Sequence, residues 1–208
     1  MKLYSYIVAT DKGFAPNPFF GYCTLACCKP RIRSSAKKGD WIIGLSGINK
    51  GNRVIFAMEV TEEPKSFTEY FLDKRFKNKI PDMNSKDLRR RNGDNIYEPV
   101  GNGFVQLPSM HYNNGDNKEN IYHKKHDLGG KQVLISNRFY YYGQNMKELP
   151  KHLQFLLVKR NHRSNFDEKQ IKLFLSSFTK QPSGVYGPPS HKYQKYQNNW
   201  SSLTVGCR

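Results

Sequence analysis

Two histidines and an aspartate stand in polar segments beside predicted strands, where side chains can exchange protons with a ligand. His111 lies near the end of one polar segment, and His126 and Asp127 precede the strand predicted after residue 131. A histidine next to a carboxylate can act as a general base, because the carboxylate tunes its pKa. If the protein is an enzyme, His111, His126 and Asp127 are the expected catalytic residues. A surface His–Asp pair is also common, and the sequence pairs no nucleophile with a base, so the reaction class stays open.

A rigid aromatic loop is the second candidate. In the segment APNPFFGY two prolines flank Asn17, and proline restricts both its own backbone and that of the preceding residue. Such a loop can stack a planar base on Phe19 and Tyr22 and hydrogen-bond it through Asn17, with a contribution of about 1–3 kcal/mol per stacked base. The same aromatics are equally typical of a hydrophobic interior. For phosphate binding we expect the basic residues that follow, which are Lys29, Arg31 and Arg33.

The polar segment from residue 92 to 112 is rich in groups that can recognise a base. Its glycines allow a ligand to approach the backbone, although ordinary loops have the same composition. Two aromatic residues in predicted strands, Trp41 and Tyr142, complete the expected base-binding set. From the polar segment that set takes Asp94, Asn95, Tyr97, Gln106 and Ser109.

The cysteines do not follow a known metal motif. Cys23, Cys27 and Cys28 have the spacing C-x3-C-C, which is not that of a zinc ribbon. His123 and His126 with Asp127 would need further ligands from elsewhere in the chain. We therefore predict no metal and no cofactor, and we expect the three cysteines to be small buried apolar residues.

The charge of the chain predicts a polyanionic partner. Thirty-four Lys and Arg residues stand against 17 Asp and Glu, for a net charge of +17 in 208 residues. Such a charge attracts DNA, RNA or nucleotides. No apolar run is long enough to cross a membrane, and the first residues, MKLYSYIVATD, lack a signal-peptide pattern. We therefore expect a cytoplasmic protein with reduced thiols and no membrane partner; the oligomeric state is not predicted.

Several activities are disfavoured because their motifs are missing. The sequence has no phosphate-binding G-x-x-x-x-G-K-[ST], no G-x-G-x-x-G after a strand and no G-x-S-x-G. The H-x-E and P-C-x-x-C pattern of zinc base deaminases is also missing.

Apolar periodicity predicts an α+β fold. Short apolar runs predict strands at LYSYIVAT, DWIIGL, RVIFAMEV, KQVLISNRFYYYG and HLQFLLVK, with the second and third forming an antiparallel pair. Helical spacing marks PKSFTEYFLDKRF and NFDEKQIKLFLSSF, the latter capped by Asn165 and Glu168. Residues 82–131 form a long polar connection. We expect one domain over residues 1–190 and a flexible basic tail over residues 191–208.

The order of these elements resembles the PUA-like superfamily, which includes the EVE, ASCH and YTH domains. The likeness rests on the Gly39–Asp40 turn that enters the strand DWIIGL and on its pairing with RVIFAMEV. It implies a small PUA-like β-barrel, elaborated here by helices and the long loop region.

Over most of its length the chain also resembles a second family, the nucleotide modification associated domain 2 proteins of bacteria and phages. The segments that carry this resemblance are KLYSYIV..D.GFAPNPF.GYCTLA.CKP.IR, GDWIIG, DNIY, Q.PS.H, HD, VLIS..F.YYG and GVYG. The resemblance implies an association with DNA-modification or phage-defence systems. It points to the matching polar positions, which are Asn17, Tyr22, Asp94, Asn95, Tyr97, Gln106, Ser109, His111, His126 and Asp127.

Two hypotheses follow from the sequence. The first is a protein that recognises a base or nucleotide, with or without a modification, in an aromatic pocket with a basic rim. The second is an enzyme that modifies or removes a nucleobase or nucleotide through His and Asp acid–base chemistry. The positive charge supports both. The sequence also leaves open a third alternative, a protein-interaction or defence-complex subunit whose basic face only holds nucleic acid.

Overall fold

The computed structural model describes residues 1–113, 115–159, 161–178 and 181–191. Its strands in these ranges are β1 (Leu3–Ile7), β2 (Cys23–Leu25), β3 (Trp41–Leu45), β4 (Val54–Glu59), β5 (Tyr97–Val100), β6 (Gly103–Gln106), β7 (Leu134–Ser136), β8 (Phe139–Tyr141), β9 (His162–Arg163) and β10 (Gly184–Val185). The α-helices are α1 (Pro30–Arg33), α2 (Phe67–Leu72), α3 (Leu88–Arg91), α4 (Ile121–Leu128) and α5 (Glu168–Phe178). Short 3-10 helices span Ile48–Lys50, Lys74–Lys79, Gly143–Asn145 and Lys151–Leu156.

A six-stranded mixed sheet forms the centre, in the order β10-β8-β4-β3-β1-β9. β3 and β4 pair antiparallel, which confirms the sequence prediction. β1 lies parallel to β3, with Leu3 opposite Trp41. Parallel neighbours need a crossover connection, and residues 8–40, which contain β2 and α1, provide it.

The α+β class is confirmed, but the predicted closed barrel is not found in the described part of the chain. The central sheet is open, because its outer strands β9 and β10 are only two residues long and do not pair with each other. β2 and β7 form a separate small sheet, as do β5 and β6. Closure requires the outer strands to meet, and here β1 lies inside the sheet instead of ending it.

Both faces of the central sheet are buried, because its strands alternate between two cores. In β1 Leu3 packs on one face, with Trp41 and Ile43 of β3, while Tyr4 packs on the other. Helix α5 covers the first face, and its apolar stripe is core packing, as its spacing predicts. The buried residues of that stripe are Ile171, Phe174 and Phe178.

A third apolar core lies beyond the second face and holds the candidate site. It joins the turn after β2 to α2 and to β5, through residues that include Phe14, Cys27, Phe67, Tyr70, Phe76, Ile96 and Tyr97. A capping box formed by Ser66 and Glu69 begins α2. The helix packs against β5, with the Phe67 and Tyr97 rings 5.4 Å apart.

Several segments differ from their predicted structure. The run KQVLISNRFYYYG is two strands in two sheets, and HLQFLLVK is mainly a 3-10 helix after Pro150, with Leu153 and Leu156 buried. The long connection contains α3, β5, β6 and α4. At α5 the reciprocal capping bonds join Asp167 and Gln170, not Asn165 and Glu168.

Two further sequence expectations concern the tail and the membrane. Apart from His191, the predicted tail lies outside the described residues. Among the residues described, none of the helices has the length and apolar character needed to span a bilayer.

Candidate active site

The Asp127 carboxylate is the centre of a buried hydrogen-bond cluster. Asn120 caps α4 by accepting a hydrogen bond from the His123 backbone N–H at 3.0 Å, and Asp127 faces inward near the other end of this helix. Asp127 Oδ1 accepts from the Cys28 backbone N–H at 2.7 Å. Oδ2 lies 2.7 Å from the Tyr97 hydroxyl, which donates to it, and 2.7 Å from His111 Nδ1.

His111 is oriented by the loop that follows β6. The Gln106 side-chain amide donates to the His111 carbonyl at 3.0 Å, and its oxygen accepts from the Asn120 backbone N–H at 2.7 Å. The imidazole packs between two rings: Phe14 at 4.8 Å between centroids and His123 at 4.1 Å, nearly parallel. These contacts tie the loop to the start of α4 and fix the ring plane.

Cys28 lies in a sharp turn between β2 and α1. Both Cys28 and the next residue, Lys29, have a positive φ, of 58° and 42°, and Pro30 then begins the helix. Positive φ is strained for such side chains, and strain of this kind clusters at functional sites. The Cys28 thiol lies 3.6 Å from His111 Nε2 and is only partly buried, whereas Cys23 and Cys27 are buried.

The side chains of Cys28, His111 and Asp127 form a hydrogen-bond relay in that order. With the Nδ1 proton donated to Asp127, the Nε2 lone pair of His111 faces the Cys28 thiol. A nucleophile whose base is oriented by a third group is the arrangement of triad enzymes, and the separations in ligand-free structures are often slightly long. A strained strand–turn–helix that carries the nucleophile is likewise found in hydrolases. The site can therefore convert a thiol into a nucleophile.

The electrostatics of Asp127 suit an orienting role. Burial by itself raises its pKa, but the charge of His111, the hydrogen bond from His111, the charge of Arg33 and the Tyr97 hydroxyl together lower it to about 2. The same surroundings raise the pKa of Tyr97, first through burial and then through the charge of Asp127. Asp127 is thus a carboxylate and Tyr97 a neutral donor over the ordinary pH range.

Arg33 holds the Cys28 turn and α4 together. Its side chain is fully buried and donates to the carbonyl oxygens of Cys28 at 2.7 Å, Gln132 at 2.8 Å and Asp127. Gly130 allows this approach, because a Cβ there would lie 2.4 Å from the Arg33 guanidinium carbon. Arg33 therefore fixes the distance between the turn and the helix.

Three residues at the same place are of types that can bind a metal ion. Ligand atoms of Cys27, His111 and Asp127 lie within 4.8 Å of one another. Two ligands of a tetrahedral zinc, each bound at about 2.1 Å, are about 3.4 Å apart. The 2.7 Å separation of His111 Nδ1 and Asp127 Oδ2 is shorter and fits a direct hydrogen bond.

One protein family matches this chain over most of its length. A family model described as nucleotide modification associated domain 2 matches residues 1–196. The chain belongs to this family. No curated protein and no solved structure matches it. The family resemblance inferred from the sequence is confirmed, and the family's name suggests involvement in nucleotide modification.

In this family member, the predicted site residues separate into several places. One group surrounds the Cys28 turn, where the structure brings together Tyr97, Gln106, Ser109, His111 and Asp127; the Ser109 hydroxyl accepts from the His111 backbone at 3.4 Å. His126 is not in this cluster. It is one residue from Asp127 on α4, is partly exposed, and stacks on Tyr122.

Asn17 and Asp94 belong to a second buried network. Lys79 is fully buried and donates to the Asn17 side-chain oxygen at 2.6 Å and to the Asn17 and Tyr22 carbonyls. Asp94 accepts from the Thr24 hydroxyl at 2.7 Å and from the Tyr70 hydroxyl at 2.8 Å. Burial lowers the pKa of Lys79 to about 8 and raises that of Asp94, with each charge opposing the other's shift.

The remaining predicted base contacts are dispersed. Phe19 is buried, and the partly buried Tyr22 ring lies 5.3 Å from Phe76. Asn95 is buried and donates to the Tyr70 carbonyl at 3.3 Å. Trp41 and Tyr142 belong to the core under α5 on the other face of the sheet.

The predicted phosphate contacts differ in accessibility. Arg31 is exposed on α1, and Lys29, which directly follows Cys28, places its ammonium group 4.8 Å from the Tyr6 ring centroid. Arg33, by contrast, is buried against backbone carbonyls. Of the three basic residues, Arg31 is therefore exposed, Lys29 is partly buried and Arg33 is buried.

The sequence does not single out Cys28 from the other two cysteines. All three are predicted to be buried, and in the structure Cys28 is the partly exposed one of the three. A signal was present: Cys28 precedes Lys29-Pro30, and proline favours the first position of a helix, which predicts a strand–turn–helix with Cys28 in the turn. The distance to His111, which is 83 residues away in the chain, is set by the tertiary structure.

Proposed function

We propose that this protein is a cysteine-dependent enzyme that acts on a nucleotide or nucleobase through a covalent intermediate on Cys28. The observation that carries the proposal is the relay from the Cys28 thiol to His111 Nε2 at 3.6 Å and from His111 Nδ1 to Asp127 at 2.7 Å. The half-buried position of Cys28 supports access from solvent.

The residues have distinct roles in this proposal. His111 Nε2 takes the thiol proton, and the resulting thiolate attacks an electrophilic carbon of the substrate, forming a C–S bond. Asp127 stabilises the imidazolium and keeps its ring in orientation. The imidazolium then gives its proton to the leaving group as the bond between that group and the carbon breaks. In the second half water, deprotonated by His111, attacks the same carbon, the C–S bond breaks, and the imidazolium returns the proton to the Cys28 sulfur.

The substrate class rests on the family and on charge. The family name suggests nucleotide modification, and a net charge of +17 favours a polyanionic partner, DNA, RNA or a nucleotide. Lys29 and Arg31 stand beside the Cys28 turn, where they can bind the phosphate of such a substrate. A link to DNA modification or phage defence, a cytoplasmic location and a PUA-like ancestry stay predictions.

Base recognition without chemistry receives less support. That hypothesis requires Asn17 and its aromatic neighbours to face a ligand, but Asn17 is fully buried and bonded to Lys79. Base contacts by Tyr97, Gln106 or Ser109 would likewise compete with their bonds around His111 and Asp127. The cluster is better suited to orienting His111 than to reading a base edge.

Thiol reactivity tests the nucleophile directly. In a Cys207→Ser background, brief treatment with iodoacetamide at pH 7 and peptide mass spectrometry should show alkylation at Cys28 well before Cys23 or Cys27, which are buried internal controls. His111→Gln should slow alkylation of Cys28 by about tenfold at pH 7, because the thiol then lacks its proton acceptor. Equal rates at Cys28 with and without His111 would overturn the relay.

A mass measurement tests the reaction class. Incubation of the protein with nucleotides, and with oligonucleotides that carry plain and modified bases, should change the mass of a substrate or leave an adduct on Cys28. Cys28→Ser should lose either product, and Cys207→Ser should keep it. A product formed equally by Cys28→Ser would reject covalent catalysis by this residue.

A further inference from the structure

The outer face of α4 exposes an unusual amount of aromatic and apolar surface. Tyr122 is 66% exposed and Ile121 is 67% exposed, on a helix of eight residues. The Tyr122 ring stacks on that of His126, with centroids 6.2 Å apart and planes 15° from parallel. We call the exposed Tyr122 ring, together with the nearly parallel and partly exposed His126 ring, the platform. Proteins that bind single-stranded nucleic acid stack bases on exposed aromatic rings of this kind.

The platform is connected to the candidate active site by ring contacts. The Tyr122 ring lies 5.6 Å from that of His123, and His123 stacks on His111 at 4.1 Å. Tyr122 faces solvent, whereas His123 faces the interior one residue later on the helix. A base on Tyr122 would therefore lie beside the residues that surround Cys28.

The charge around the platform suits a phosphate backbone. Lys118, Lys125 and Lys131 are exposed in the segment that contains α4. Among the acidic residues described in this segment, Glu119 forms an ion pair with Lys124 at 2.8 Å and Asp127 is buried. Asp116 is the exposed acidic residue that remains. The local balance is positive, like that of the whole chain.

We propose that this platform, Tyr122 with His126 and the flanking Lys125, binds single-stranded nucleic acid by stacking one base on Tyr122. A duplex keeps its bases stacked on each other, so a single exposed ring has little to offer it except at an end or bulge. Delivery of the strand to Cys28 rests on the proposed function. Binding to the platform does not, because it needs only α4 and its lysines.

Fluorescence anisotropy with dye-labelled 12-mers of single-stranded DNA and RNA tests the proposal in the full-length protein at low salt. Tyr122→Ala should weaken single-strand binding by about tenfold, while Tyr122→Phe, which keeps the ring, should stay within about threefold of the wild type. Binding to the matching DNA duplex should change by less than twofold in both variants. Tyr186→Ala, at an exposed tyrosine directly after β10, is the matched control and should bind single strands like the wild type.

Lysine substitutions separate stacking from charge. Lys125→Ala should reduce the slope of log affinity against log salt by about one, whereas Tyr122→Ala should leave that slope unchanged. Lys172→Ala, on the exposed side of α5, is the charge control. Unchanged single-strand binding by Tyr122→Ala, an equal loss in Tyr186→Ala, or binding to anionic vesicles in place of oligonucleotides would overturn the proposal.

Cys28→Ser distinguishes the two proposals. It should bind single strands as tightly as the wild type, because Cys28 is not part of the platform. If this variant and the wild type both bind through Tyr122 but neither alters a substrate, the proposed function fails and the platform stands. If substrate is altered and Tyr122→Ala binds normally, the platform fails alone.

Discussion

The Asp127 carboxylate lies 2.7 Å from His111 Nδ1, although Asp127 is on a helix and His111 is on a loop. Asp127 is on α4, whereas His111 is on the loop after β6 that Gln106 fastens to the start of the same helix. Because the helix and the loop share this fastening, the pair is oriented before any ligand arrives. The Cys28 thiol lies 3.6 Å from Nε2, the other ring nitrogen of His111. His111 is therefore a candidate base, and Asp127 is the carboxylate that orients it.

Asp127 should make the protein sensitive to acid. Its pKa is lowered from 3.8 to about 2, so the unfolded chain binds the proton first and stability is lost as the pH falls from about 4 to about 2. This loss should amount to about 2 kcal/mol of unfolding free energy. Urea unfolding between pH 2 and pH 7 should show a flatter profile for Asp127→Asn over that interval. A variant profile parallel to that of the wild type would contradict the assignment.

Lys79 should make the stability of the protein rise with pH in the alkaline range. Burial lowers its pKa from 10.5 to about 8, so between these values the unfolded chain binds more protons and stability rises with pH. Relative to Lys79→Met, the wild type should gain about 3 kcal/mol of unfolding free energy over that range. The difference between the two proteins removes the contributions of the tyrosines and cysteines, which titrate in both. A constant difference between them would show that Lys79 is not buried as a cation.

Asn17→Ala should lower stability. The substitution removes the acceptor for Lys79 at 2.6 Å and the donor to the Asn92 carbonyl at 2.9 Å, both buried. A loss of about 2–3 kcal/mol is expected, because the Lys79 ammonium keeps fewer partners. Asn49→Ala, at an exposed asparagine, should change the unfolding free energy by less than about 0.5 kcal/mol. Normal stability of Asn17→Ala with weaker nucleotide binding would instead favour the base-contact role predicted from the sequence.

Gly130→Ala should disturb the Cys28 turn through Arg33. The new methyl group would lie 2.4–2.6 Å from the guanidinium atoms, which cannot withdraw without losing bonds to the Cys28 and Asp127 carbonyls. We expect a loss of about 1–3 kcal/mol in unfolding free energy and slower alkylation of Cys28. Calorimetry and the iodoacetamide assay measure the two effects. Gly115→Ala meets nothing within 4 Å and serves as the control.

Local patterns were sufficient to predict several elements. The antiparallel pairing of β3 with β4 follows from two short apolar runs around a glycine-rich turn, and the buried stripe of α5 follows from its spacing. Prediction was weakest where packing overrides propensity. The single run that contains Leu134 and Tyr140 became two strands in different sheets, because its first half pairs with β2 and its second half with β4.

The residues of the candidate site likewise divide into those that the sequence could predict and those whose position only packing decides. His111 and Asp127 could be proposed from their residue types, since a histidine and a carboxylate in polar segments suggest acid–base chemistry in any fold. His126 has the same type as His111 but lies on the outer side of α4, where it contacts Tyr122. The rigid loop around Asn17 predicts a base contact for this residue. In the structure Asn17 is buried in the protein interior and accepts a hydrogen bond from Lys79.

By itself, the sequence determined the positive charge, the α+β class, the family and most of the polar residues around the site. Only the tertiary structure decided which of the three cysteines faces a base. Composition and local periodicity act between neighbours in the chain, whereas Cys28 and His111 are 83 residues apart. Their contact depends on how the turn after β2, the loop after β6 and helix α4 pack around Arg33 and Asp127, and packing at that distance leaves no local pattern.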